Sequence, residues 1–102
     1  MMNKEIQLLI PKIQQYFAGQ PINKAWLFGS CSRGEETSES DIDILVQYAD
    51  NERVTLFTIS RIINSLKKIL KRSVDLVDED GLLPFAIDSV QQDKILIYER
   101  NN

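Results

Sequence analysis

Two aspartates separated by a single residue have the spacing of a cation site. Asp41 and Asp43 flank Ile42 at the start of an aliphatic segment, and side chains alternate along a strand, so both carboxylates should project from one face. Carboxylates about 5 Å apart repel by roughly 3 kcal/mol at an effective dielectric of 20, and a bound cation removes that cost. Mg²⁺ suits the pair because it completes its shell with water and phosphate oxygens. The alternative is two solvated acids at a strand start.

A third aspartate lies further along the chain. Asp75 stands between Val74 and Leu76 in a short apolar segment that predicts a buried strand. A lone buried carboxylate is costly unless it is paired or metal-bound. If this strand lies beside the strand that begins at Asp41, all three acids can meet. The alternative is an edge strand with Asp75 open to water.

A Gly-Ser pair ends the preceding apolar segment. Gly29 would let a phosphate approach the backbone closely, and the hydroxyl of Ser30 with the N–H groups of a short helix over residues 30–33 could hold an anion. The alternative is an ordinary capped turn. Arg33 either contacts the phosphates or pairs with Glu35 or Glu36 at the surface.

The composition excludes several classes of chemistry. The 102 residues include no histidine and one cysteine, Cys31, which rules out Ser-His and Cys-His catalysis and zinc sites built from imidazole or several thiolates. We interpret Cys31 as a small packing residue. With 43% hydrophobic and 26% charged residues, the chain is typical of one globular domain, expected over residues 1–102. It shows neither a membrane-spanning run nor a signal-peptide cleavage site, so we expect the cytoplasm.

The charge balance argues against a nucleic-acid partner. The net charge is −3, whereas nucleic-acid binders usually present a basic face. The basic residues cluster at one place, Lys67, Lys68, Lys71 and Arg72. This cluster predicts the solvated end of a helix, where cations complement the dipole; the alternative is a phosphate-binding patch.

The elements needed to position the acids follow from hydrophobic periodicity. Helices are predicted over residues 4–18, with a kink or break at Pro11, over 53–72 and over about 85–90; strands are predicted over 24–28, 42–48, 73–77 and 94–98. The fold class is therefore α/β in the α+β sense, a mixed sheet covered by helices. The first two strands should be antiparallel because their connection is short. The end of the first strand, with the Gly-Ser turn, would then lie beside the start of the second, with the acid pair. Trp26 and Phe28 are expected in the core or at its rim.

These segments together resemble a known family. Phe28-Gly29-Ser30, Asp41-Ile42-Asp43-Ile44 and Val74-Asp75-Leu76 resemble the three-part signature of the DNA polymerase β-like nucleotidyltransferase superfamily. Residues 27–46, LFGSCSRGEETSESDIDILV, resemble its minimal nucleotidyltransferase (MNT) group. The resemblance extends over nearly the whole chain and implies a palm-like mixed sheet with helices packed on it.

The resemblance also implies roles for the residues. Asp41 and Asp43 would bind two Mg²⁺ ions, with Mn²⁺ as a substitute, and Asp75 would join the metal that activates the attacking hydroxyl. Gly29 and Ser30 would hold the triphosphate of ATP. The reaction would be in-line attack on the α-phosphorus with pyrophosphate leaving.

The MNT group is commonly encoded beside HEPN-domain proteins, many of which are toxin ribonucleases. The resemblance implies an antitoxin that transfers AMP from ATP to a tyrosine of such a partner. Two alternatives stay open: a transferase that modifies a small hydroxyl compound such as an aminoglycoside, and a non-catalytic antitoxin that acts by contact alone. A homo-oligomer is compatible with either.

Overall fold

Four strands and three helices make up the regular structure of the described residues, which are 4–29, 34, 41–50, 52–82 and 84–100 of this computed structural model. The helices are α1 (Lys4–Phe17), α2 (Leu56–Leu70) and α3 (Pro84–Asp93). The strands are β1 (Ile22–Phe28), β2 (Ile42–Tyr48), β3 (Val74–Asp78) and β4 (Ile95–Glu99). A 3₁₀ turn, Glu79–Gly81, follows β3.

The strands form one mixed sheet in the order β3-β2-β1-β4. β1 pairs antiparallel with β2 and with β4, and β2 pairs parallel with β3. The expected antiparallel pairing of the first two strands is therefore confirmed, as is the neighbouring position of the strand that carries Asp75. β3 and β4 are the two edges.

The sheet is covered by helices, as predicted, and they lie on both of its faces. The larger core lies between one face and helices α1 and α2; its largest fully buried side chains include Phe17, Ile6, Leu27, Ile44 and Leu66. A smaller cluster on the other face unites Trp26, Leu45 and Val90 of α3, with Phe28, Val77 and Leu82 packed against it. Trp26 is 8% exposed, which confirms its expected place in the core or at its rim.

Helix boundaries differ from the predicted ones for identifiable reasons. α1 runs through Pro11 without the expected break; proline costs a helix interior about 3 kcal/mol, and burial of Ile6, Ile13 and Phe17 on either side of it offsets this. α2 begins three residues later than predicted because Thr55 caps it, its side chain accepting from the Thr58 N–H.

The basic cluster at the end of α2 divides into two parts. Lys67, Lys68 and Lys71 are exposed, as expected of a solvated helix end. Arg72 is different, because its side chain is only 7% exposed and its Nη1 lies 3.8 Å from Glu5 Oε1 of α1. The solvated reading was wrong for Arg72, which ties the start of β3 to α1. None of the described helices is both long and apolar enough to cross a membrane.

Candidate active site

Asp43 lies at the centre of the candidate site. In the sheet it is aligned with Phe28 of β1 on one side and with Asp75 of β3 on the other. Ile42, Ile44 and Val46 belong to the larger core, so alternation puts Asp43 on the opposite face, the face of Leu45. Asp41 lies two residues earlier, is exposed and shares this face. We call Asp41, Asp43 and Asp75 together the acid row.

Asp75 is exposed rather than buried. We expected a buried strand, and this was wrong, because β3 is an edge strand in which Val74 is the one buried residue. The carboxylate of Asp75 therefore carries no burial cost that a partner would have to offset. Its position still brings it beside Asp43, since neighbouring strands lie about 4.8 Å apart.

The three acids interact electrostatically. Burial raises the pKa of Asp43 to about 6, and the charges of Asp75 and then Asp41 add to this shift. A carboxyl group whose pKa is raised by two neighbouring carboxylates is a site where positive charge would be stabilising. The row is thus suited to a cation, whose hard oxygen ligands these aspartates would be.

The carboxylates do not, however, form a ready-made cage. Among the described residues, no three Asp, Glu, His or Cys side chains lie close enough together to bind one metal ion. Mutual repulsion keeps uncompensated carboxylates apart, and Mg²⁺ needs only one or two carboxylates because it keeps waters and phosphate oxygens. The donor set fits Mg²⁺, and the metal roles of Asp41, Asp43 and Asp75 stay predictions.

Gly29 brings the main chain against the Asp43 carboxylate. Its φ is +70°, and a Cβ built on it would lie 2.6 Å from Asp43 Oδ2, closer than real Cβ contacts. Glycine is required here for two reasons, the left-handed backbone and the contact with the acid. The end of β1 and the start of β2, with its acid pair, therefore lie side by side at one end of the sheet, as the antiparallel pairing predicts.

Gly29→Ala should impair both the fold and the site. We expect a loss of about 1–2 kcal/mol from the left-handed backbone and a weaker affinity for ATP with Mg²⁺, because the new methyl displaces the Asp43 carboxylate. Thermal unfolding and ATP titration measure the two effects. Gly81→Ala is the matched control, since its Cβ would meet nothing closer than 3.8 Å. Equal ATP affinity in both variants would remove Gly29 from the site.

Two other predicted site residues, Ser30 and Arg33, lie outside the described residues, as does Cys31. Their proposed contacts with the triphosphate stay predictions. The structure brings together Gly29, Asp43 and Asp75, with Asp41 close enough to affect the Asp43 pKa.

A group of polar contacts, which the sequence did not indicate, joins the end of α3 to the face of the sheet that carries the acids. Lys94 Nζ lies 4.5 Å from the centre of the Trp26 ring and 3.9 Å from Glu79 Oε1. Gln47 Nε2 donates to Glu79 Oε2 at 3.4 Å. Lys94 was predicted only as the first residue of the last strand, and nothing in the pattern linked it to Trp26 or Glu79. These contacts help to hold α3 in place on the face of the sheet that carries the acid row.

Comparison with known proteins gives this site a family. Residues 11–102 match the family described as Polymerase beta, Nucleotidyltransferase. The chain belongs to this family and is a nucleotidyltransferase, as the motifs predicted.

Among curated proteins, the chain is similar to two from Methanocaldococcus jannaschii. It is 39% identical over 72 residues to "Putative protein adenylyltransferase MJ1379", covering 70% of this chain and 72% of that protein. It is 36% identical over 72 residues to "Putative protein adenylyltransferase MJ0126", covering 70% of this chain and 71% of that protein.

Solved structures share the fold. A structure described as "putative minimal nucleotidyltransferase" has a TM-score of 0.77 and 28% identity, covering 93% of this chain and 95% of that one. An MNT antitoxin in complex with a tri-AMPylated HEPN toxin of Shewanella oneidensis has a TM-score of 0.67 and 23% identity, covering 92% and 72%. The second likeness concerns the fold alone. Together they confirm the predicted mixed sheet covered by helices.

Proposed function

We propose that this nucleotidyltransferase transfers AMP from ATP, with Mg²⁺, to a hydroxyl group of a partner protein. The observation that carries the proposal is the position of the Asp43 carboxylate, which lies against the Gly29 backbone on one side and beside Asp75 on the other. A triphosphate held near Gly29 and an acceptor held near Asp75 would meet over Asp43.

Each residue has a distinct part in this proposal. Asp41 and Asp43 would hold the metal ions, and Gly29 with Ser30 would hold the triphosphate. Asp75, exposed at the sheet edge, would join the metal ion that activates the acceptor hydroxyl and would favour deprotonation of that hydroxyl. When bound, Mg²⁺ supplies neutralisation of phosphate charge and a lower pKa for the attacking hydroxyl.

The open position of Asp75 favours a large acceptor. Its carboxylate is at the sheet edge, where a protein surface can reach it. The relatives named as protein adenylyltransferases support this choice. Structures in which similar chains accompany toxins, one with AMP-PNP, support a HEPN toxin as the partner and an adenine nucleotide as the substrate. We place the reaction in the cytoplasm, where ATP is abundant.

The proposal is tested by incubating the product of the neighbouring gene, which we expect to be a HEPN-domain protein, with this protein, ATP and Mg²⁺. Intact-protein mass spectrometry should show the added mass of one or more AMP groups, located to a tyrosine by peptide mapping. The Asp41→Asn/Asp43→Asn double variant should leave the partner unmodified. If the wild-type protein binds and silences the partner without any change in mass, the antitoxin acts by contact alone.

A further inference from the structure

The edge of β3 runs directly past the acid row, and its hydrogen-bonding groups follow a definite pattern. The Ile42 N–H donates to the Ser73 carbonyl at 2.9 Å, so Ser73 directs its polar groups toward β2. Successive residues of a strand direct theirs to alternate sides. Asp75 and Val77 therefore also bond toward β2, while Val74, Leu76 and Asp78 direct theirs away from the sheet.

We propose that the acceptor reaches the site as an extended segment that pairs antiparallel with β3 as a fifth strand. This rests on the proposed transfer to a protein hydroxyl and adds how that protein is recognised. An edge strand presents a row of unsatisfied backbone groups to which an extended segment can add. Antiparallel pairing is the more stable arrangement and brings facing residues closest.

The register of such a strand would deliver one side chain to Asp75. Because Asp75 bonds inward, the residue facing it forms a pair without hydrogen bonds, whose Cα atoms are about 4.5 Å apart and whose side chains share a face. The residues before and after it exchange hydrogen bonds with Val74 and Leu76. A hydroxyl side chain at the facing position therefore projects over the row formed by Asp75 and Asp43.

Charge along the edge indicates the composition of that segment. Residues 74–81 contain Asp75, Asp78, Glu79 and Asp80 and no lysine or arginine. Three of these acids are exposed, and Glu79 already pairs with Lys94. The acceptor segment should therefore carry Lys or Arg on either side of its hydroxyl residue. The same charges disfavour a nucleic acid at this edge.

Synthetic peptides test the proposal without altering the protein. The parent is acetyl-KTVYVTK-amide, whose tyrosine would face Asp75 and whose two valines would bond to the edge. One derivative carries N-methyl groups on both valines, which removes the donors that point at β3. The matched control carries one N-methyl group on the tyrosine, whose N–H points away.

Binding is read from amide hydrogen exchange by NMR, without ATP. Millimolar parent peptide should slow exchange at Leu76 and Val74 while leaving the β4 amides unchanged, and the valine-methylated peptide should not. With ATP and Mg²⁺, AMP transfer to the valine-methylated peptide should be slower by about tenfold, the effect of losing two hydrogen bonds. The tyrosine-methylated control should match the parent in both measurements.

The outcomes separate this inference from the proposed function. Transfer that is indifferent to valine methylation, or unprotected edge amides at millimolar peptide, overturns the fifth strand even if the HEPN partner is modified. Protected edge amides with the expected methylation pattern support it. If that pattern accompanies no transfer to any peptide or to the partner, the surface stands as a docking edge and the transferase proposal fails.

Discussion

Asp43→Asn should reduce AMP transfer by about 10³-fold while stabilising the metal-free protein at neutral pH. The loss of transfer follows because Asp43 is the central acid of the row, and ligation of catalytic metal ions contributes several kcal/mol to the transition state. The gain in stability follows because burial and two neighbouring carboxylates raise the pKa of Asp43 to about 6. An uncharged side chain of the same shape avoids that repulsion.

The pH dependence of this effect has a definite sign. Between the ordinary pKa of 3.8 and about 6, the folded protein binds more protons at Asp43 than the unfolded chain does. The free energy of unfolding of the wild type should therefore fall as pH rises through this window and stay lower above it. Because Asp43 is only half-buried, the difference from Asp43→Asn at pH 7.5 should be on the order of 1 kcal/mol. The two proteins should converge below about pH 4.

Thermal unfolding with and without Mg²⁺ measures the change in stability and the loss of metal binding, and mass spectrometry of the acceptor over time measures the rate of AMP transfer. Saturating Mg²⁺ and ATP should stabilise the wild type by mass action and leave Asp43→Asn unchanged. Asp50→Asn is the control for lost charge, because Asp50 is exposed and lies beyond the other end of β2. Equal unfolding temperatures of wild type and Asp43→Asn at every pH, with or without metal, would contradict a cation site at Asp43.

Asp75→Asn should lower the rate of transfer by about 10²-fold while preserving the binding of ATP with Mg²⁺. This magnitude is typical of a lost general base. Asp75 stands at the exposed edge, on the far side of Asp43 from the end of β1. Its charge should therefore act on the acceptor hydroxyl more than on the triphosphate. The metal-free protein should become slightly more stable, because one of the two charges that repel Asp43 is lost.

The test is to measure kcat and KM for ATP by following the amount of AMP-modified acceptor formed over time. A fall in kcat at constant KM is expected, because the interaction acts in the transition state. Asp50→Asn is again the control for lost charge, because Asp50 is exposed and lies beyond the other end of β2. If Asp75→Asn also loses ATP binding, Asp75 belongs with the triphosphate and the division of roles is wrong.

Several features of this protein depend only on local sequence. The bounds of β2, Ile42–Tyr48, match the prediction because aliphatic and aromatic residues occupy five of its seven positions, with Asp43 and Gln47 as the two polar ones. The shared face of Asp41 and Asp43 follows from the two-residue period of a strand. The helical period of Leu56, Ile59, Ile63, Leu66 and Leu70, widened by Ile62 and Ile69, likewise indicates the inner side of α2. Of these, Ile62, Leu66 and Leu70 are buried, whereas Leu56 in the first turn is 81% exposed. In each case the determinant lies within one element.

The tertiary structure decided the features that join distant segments. The apolar residues around Asp75 predict burial, yet strand order places β3 at an edge and exposes the carboxylate. The contact of Gly29 with Asp43 depends on the antiparallel register, which no local pattern encodes. Leu45 is fully buried on the acid face because α3 returns to cover it. Sequence spacing specifies which way a side chain points along its own strand, but only the packing of strands and helices determines what it meets there.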